Sequence, residues 1–172
     1  MRKILIISIL ITIAFNANAQ RKGYKHLANI PPPHYSNSGD SKKFYMNGFL
    51  LSPTMKYIVI DYGRKNSTLA IFSFPDFDLI GIQRIEKSVE LSQTYFAKAD
   101  SLLFVKTDRY APEYTMIRVH DVRAMIVPCE KTPNGCPTQP AGFATVKTYS
   151  NDKKYLIQRG SDKTTLEVFV KE

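Results

Sequence analysis

Residues 51–72 read LSPTMKYIVIDYGRKNSTLAIF, and this stretch sets the fold class. Lys56 to Ile60 is a short apolar run rich in β-branched and aromatic residues. Ser52-Pro53 precedes it and Asp61-Tyr62-Gly63 follows it. A run of that length between turn residues predicts a buried strand. Thr68 to Phe72 predicts a second strand, closed at Ser73-Phe74-Pro75-Asp76 because proline cannot donate to a ladder.

Looser copies of the pair recur downstream. Ser101 to Val105 and Lys154 to Ile157 align with the first strand, and Tyr114 to His120 and Thr165 to Phe169 with the second. In this alignment Tyr57, Leu102 and Tyr155 correspond. So do Leu69, Ile117 and Leu166, which are spaced 48 and 49 residues apart, and Phe72, His120 and Phe169. The second strand then reads Leu-Ala-Ile-Phe, Ile-Arg-Val-His and Leu-Glu-Val-Phe, with apolar first and third places, as a half-buried sheet requires. Asp78 to Ile85 predicts a closing strand for the first copy, Ile85 to Leu91 one helical turn, and Val122 to Val127 a strand of the second copy. Thr94 to Phe96 opens the second copy, and Phe143 to Tyr149 the third.

A period in the forties suits the four-stranded blades of a β-propeller. Leu51-Ser52-Pro53-Thr54-Met55-Lys56-Tyr57 resembles the opening of a WD40-like or TolB-like propeller repeat, with Thr54-Met55 where that family has Asp-Gly. Ser150-Asn151-Asp152-Lys153-Lys154-Tyr155 is closer to the pattern, and no Gly-His or Trp-Asp signature is present. The resemblance covers residues 46 to 172. It implies an all-β fold of antiparallel blade-like meanders, a partial β-propeller; a β-sandwich is the alternative. The third copy stops after its third strand, and closed propellers often fill such a place from the other chain end; Tyr24 to Ile30 is the candidate. Three blades are too few to close a ring, so the chain is expected to cap its edges, adopt a sandwich or associate, for instance as six blades from two chains.

The N-terminus has the three parts of a signal peptide: Arg2-Lys3, the apolar run Ile4 to Phe15, and Ala17-Asn18-Ala19. The apolar run is shorter than the ~20 residues of a membrane span. Cleavage between Ala19 and Gln20 would leave 153 of the 172 residues, with a formal charge of +7 instead of +9. The expected organisation is signal peptide 1–19, Pro/Ser-rich arm 20–43 and one β domain 44–172, in a periplasmic or secreted protein. In an oxidising compartment Cys129 and Cys136 predict a disulfide across a hairpin loop, because Pro133-Asn134-Gly135 is a strong turn signal between them. They lack the Cys-x-x-Cys spacing of a metal site, and no cofactor is implied.

The sequence contains no phosphate loop or nucleophile elbow. A hydrolase or lyase would have to assemble Asp61, Asp108, His120 and Arg159 in space; on a strand, His120 and Asp121 would point to opposite faces. The basic charge lies in scattered pairs such as Arg64-Lys65 and Lys153-Lys154, and suits an anionic envelope polymer or a protein more than a specific nucleic-acid site. Aromatics at strand ends include Tyr62, Tyr95-Phe96 and Tyr110. The function expected is a non-catalytic exported module that binds through loops, with Tyr62, Arg64, Asp108, Tyr110 and His120 as candidate contacts. An inhibitor or immunity-like protein of an envelope enzyme is the other non-catalytic reading.

Overall fold

The computed structural model describes residues 23–33, 45–63, 67–87, 89, 93–107, 112–133 and 147–172. Among the described residues twelve strands form three four-stranded antiparallel sheets. The first holds β2 (Met46–Leu51), β3 (Tyr57–Tyr62), β4 (Ser67–Ser73) and β5 (Leu79–Ile85) in that order. The second holds β6 (Tyr95–Ala97), β7 (Leu102–Val105), β8 (Glu113–Arg118) and β9 (Arg123–Pro128). In the third, β10 (Lys147–Tyr149), β11 (Tyr155–Arg159) and β12 (Leu166–Lys171) are completed by β1 (Tyr24–Ile30), in the order β1-β12-β11-β10.

β1 is the N-terminal strand expected to fill the last repeat, and it pairs with β12 from Tyr24↔Lys171 to Ile30↔Leu166. Tyr24 to Ile30, a part of the expected arm, is therefore a strand of the third sheet. β5 continues through Ile85, followed by a bend at Glu86-Lys87, so the helical turn expected from Ile85 does not start there; residues 88, 90 and 91 lie outside the described residues.

The first sheet lies between the other two, which explains why residues 57–72 are so apolar. Ile58, Ile60, Ala70 and Phe72 pack on Ile157, Leu166 and Val168 of the third sheet. On the opposite face Val59, Leu69 and Ile71 pack on Leu103, Val105 and Ile117 of the second. A strand buried on both faces reads as a continuous apolar run instead of an alternating one. The spatial order is third, first, second: an open arc of blades, a partial propeller whose sheets do not close.

The strand register corrects the repeat alignment. Ile58 pairs with Phe72, Leu103 with Ile117, and Leu156 with Phe169. Ile117, not His120, therefore occupies the place of Phe72 and Phe169, and all three are buried. β8 ends at Arg118, so His120 lies in the turn to β9 instead of on the strand.

The hairpin turns that join the first two strands of the first and third sheets are built alike. The Lys56 and Tyr57 amides both donate to Ser52 Oγ at 3.0 Å, and the Met55 amide to the Ser52 carbonyl at 2.9 Å. In the third sheet the Tyr155 amide donates to Ser150 Oγ at 2.9 Å and the Lys153 amide to the Ser150 carbonyl at 2.8 Å. Met55 (φ 60°) and Lys153 (φ 55°) both take the left-handed conformation, in the position where the resembled repeat has glycine. The turn of the second sheet differs: Lys98, Ala99 and Asp100 are all left-handed, which brings the Asp100 carboxylate to the Thr54 amide (2.9 Å) and hydroxyl. Asn151 Nδ2 reaches the Pro53 carbonyl at 3.5 Å. All three turns thus meet at Pro53-Thr54.

Farther out, Gly81 of β5 leaves room for Val122, whose Cγ2 lies 2.5 Å from where a Cβ would stand. The Val119–Val122 turn is thereby seated on the first sheet.

The serine hydroxyl is the device that makes a non-glycine turn tolerable. Ser52→Ala is expected to cost about 1–3 kcal/mol in urea unfolding, because two amides lose their acceptor at a buried site. Lys153→Gly at the matching turn is expected to hold or raise stability, by up to about 1 kcal/mol, since the strained φ is relieved. A loss of stability on Lys153→Gly would contradict this account.

Candidate functional site

The first strands of the three sheets converge. β2 brings Phe49, Leu50 and Leu51, β6 brings Tyr95 and Phe96, and β10 brings Thr148 and Tyr149 to one open cavity of about 290 Å³. Ser52, Pro53, Thr94 and Asn151 complete its lining. The cavity therefore lies on the axis of the arc, beside the junction of the three turns. No lining residue carries a carboxylate, ammonium or guanidinium group. An apolar wall with a few hydroxyl and amide groups is what a binding cleft for an uncharged group requires.

Tyr149 is 47% exposed. Its ring lies 5.9 Å from that of Tyr24, with Lys147 Nζ 5.3 Å above it. The Tyr24 hydroxyl donates to the Lys153 carbonyl at 2.8 Å, which ties the pair to the turn of the third sheet. Across the cavity Phe96 stacks on Tyr57 at 6.5 Å, tying β6 to the first sheet. The rings are thus held by neighbours while Tyr149 keeps an open face.

The sequence candidates do not assemble there. Tyr62 is fully buried in the core between the first and third sheets, where burial and the negative charge of Asp162 push its phenol up. It is a packing residue and not a loop contact, because the last residue of β3 faces inward. Arg64, Asp108 and Tyr110 lie outside the described residues.

His120 is exposed in the β8–β9 turn, with Nε2 3.8 Å from Asp121 Oδ2. The expected opposition of His120 and Asp121 fails because the alternation of a strand does not extend into a turn. Arg159 donates from Nη1 to the Met46 carbonyl at 3.2 Å, and so joins the third sheet to the first. His120, Asp61 and Arg159 are held by different partners and form no common site. Among the described residues no group of three His, Cys, Asp or Glu side chains has the spacing to hold a metal ion. Cys129 is buried in a short 3₁₀ turn, residues Cys129–Lys131, and Cys136 lies outside the described residues.

Tyr149 and Asn151 were not singled out by sequence reasoning. The available signal was positional: the first strand of each repeat faces the axis, and Lys147-Thr148-Tyr149-Ser150 leads into the third turn.

No protein-family model and no curated protein matches the chain. Solved structures do resemble it. The C-terminal WD40 domain of Sif2 aligns at 11% identity and TM-score 0.41, over 77% of this chain and 45% of that one. The Dos1 propeller aligns at 7% identity and TM-score 0.39, over 73% and 41%. The propeller domain of Myceliophteria thermophila Cps50 (Swd1) aligns at 8% identity and TM-score 0.32, over 83% and 59%. All three are propeller domains. The chain spans about half the length of those structures.

Asp61 lies outside the cavity lining. It is 1% exposed at the end of β3, and burial pushes its carboxyl up from 3.8 to about 6. Hydrogen bonds from Asn47 (Nδ2 to Oδ2, 3.0 Å) and Ser67 pull the other way. With a folded pKa above the unfolded one, the contribution to stability is full below about pH 4. It falls as the unfolded chain alone releases its proton, and levels off above about pH 6. The total swing is on the order of 3 kcal/mol. Chemical denaturation from pH 4 to 7.5 should show this decline in the wild type and its absence in Asp61→Asn. Parallel curves would remove Asp61 as its source.

Proposed function

We propose that the chain is an exported, non-catalytic binding module that receives an uncharged, extended segment of a partner protein in its axial cavity. The observation that carries this reading is the convergence of β2, β6 and β10 on a cavity lined by rings, hydroxyls and one amide without a charged side chain. Such a lining favours an apolar or aromatic side chain over an anionic polymer, because it holds no charged side chain of its own and the neighbouring Lys147 ammonium is engaged by the Tyr149 ring. The basic residues outside the cavity steer association with an acidic partner without fixing what is read. Residues 1–19 carry the export signal, and Cys129 and Cys136 close a disulfide suited to an oxidising compartment.

Tyr149 is the residue to test, because it is half exposed and its loss leaves the sheet cores intact. Peptides selected from a displayed random library are expected to be rich in neutral aromatic and aliphatic residues. Tyr149→Ala should weaken the best of them about tenfold or more with an unchanged melting curve. Selection of acidic sequences insensitive to Tyr149→Ala would overturn the assignment of the cavity. Turnover of a substrate by the purified protein would overturn the non-catalytic reading.

Export and the disulfide share one measurement. The intact mass of the purified protein from a secreting host is expected to correspond to a chain starting at Gln20 and lacking two hydrogens. A chain retaining Met1, or two free thiols, would sink the respective assignment.

A further inference from the structure

We propose that β9 is a self-pairing edge, through which two copies of this chain form an antiparallel dimer centred on Met125. This proposal stands apart from the function of the axial cavity.

β9 is the terminal strand of the second sheet and pairs only with β8 among the described residues. It differs from the other outer strands. β5 and β1 each end in a buried residue, whereas β9 has none. Met125 and Ile126, on opposite faces, are 53% and 61% exposed, more than Leu27, Leu79 or Tyr149. A strand wet on both faces, with apolar side chains on both, is open to pairing along its middle, and here only its ends carry protecting residues, Arg123 and Pro128.

The hydrogen-bond register shows what the edge offers. The Cys129 amide donates to the Pro112 carbonyl at 2.8 Å, continuing the β8–β9 ladder beyond Glu113↔Pro128. Antiparallel residues alternate between bonded and non-bonded pairs. Counting back from Cys129, residues Val127, Met125 and Arg123 direct their N–H and C=O toward β8. Ala124 and Ile126 therefore direct theirs outward. The other side of β8 agrees, since the Val119 amide donates to the Ser101 carbonyl at 3.0 Å, placing the alternate residues of β8 against β7.

This pattern is self-complementary in one register. A two-fold axis through Met125 sets Ala124 of each copy opposite Ile126 of the other. The four outward groups of Ala124 and Ile126 are then bonded in each chain, and the two Met125 side chains meet in a non-bonded pair. On the opposite face the large Ile126 lies beside the small Ala124. Arg123 falls opposite Val127, so no like charges oppose each other. Shifting the axis to Ile126 would set Ala124 against Pro128, which has no N–H to give.

Closure of a ring by two arcs, the alternative dimer, would need bare apolar faces on the second and third sheets. Phe104 and Tyr114 on one, and Leu156 and Phe169 on the other, are already buried. Edge pairing alone buries less area than a stable interface requires, so the dimer is weak and concentration-dependent.

Sedimentation of the purified protein is expected to show a mass rising from one chain toward two with concentration. Met125→Lys, a change at an exposed side chain, should raise the dissociation constant at least about tenfold with an unchanged melting curve. Oxidised Met125→Cys should form a covalent dimer, since the facing Cα atoms of a non-bonded pair lie about 4.5 Å apart. Ile126→Cys should not, because its two copies are diagonal at about 7–8 Å. A one-chain mass up to about millimolar concentration would overturn the proposal. So would a dimer that survives Met125→Lys, crosslinking by Ile126→Cys in place of Met125→Cys, or a β9 edge that pairs only with a strand of a different protein.

Discussion

The burial of both faces of the first sheet is the constraint on which the rest of the structure depends. β3 and β4 present Ile58, Ile60 and Phe72 to one side and Val59, Leu69 and Ile71 to the other. Neither face can remain wet, and each apolar side chain returns roughly 1.5–3 kcal/mol on burial. One neighbour follows directly in sequence. The other must be the last repeat, brought back past the second. That return sets the N-terminal strand beside β12 and directs the three first strands to a common axis. The cavity is thus a consequence of core packing and not of any special loop.

The strands of the first sheet were legible because two-sided burial leaves an unbroken apolar run between turn residues. The missing strand of the third repeat was legible as well, since a three-strand copy at one end and a spare apolar segment at the other belong together. The register of β8 was not legible. Ile117 and Val119 face the first sheet while Tyr114 and Phe104 form an aromatic cluster on the far side, so β8 is apolar on both faces. Alternation then gives no parity, and an alignment built on Ile-x-Val slipped and placed His120 on a strand. The site was the least legible part. Tyr62 looked like a loop aromatic but closes the core, whereas Tyr149 contributes through its position on a first strand, which composition does not reveal.

The turns show how a left-handed hairpin position is held without glycine. Glycine would enter the left-handed position freely, yet Met55 and Lys153 stand there. Each strained residue costs on the order of 1 kcal/mol. The serine hydroxyls that collect the following amides offset this, and at the second sheet three successive left-handed residues deliver Asp100 to Thr54. The strain is concentrated where the three sheets must be held together at one end, beside the cavity mouth.

Charge is distributed to the same effect. The chain is strongly basic, but the cavity lining is neutral, and the buried ionisable groups are held by specific neighbours: Asp61 by Asn47, Lys106 by the Glu113 carbonyl and the Tyr114 ring 4.6 Å away. Scattered exposed charges act at a range set by the Debye length, about 8–10 Å in ordinary buffers, and so affect the rate of encounter more than the identity of what is bound. Discrimination must come from groups fixed at short range. In the described structure these are the rings and hydroxyls converging on the axis and the unpaired backbone groups of Ala124 and Ile126. Under the two proposals the first reads side chains and the second a strand, and the two surfaces share no residue, so neither excludes the other.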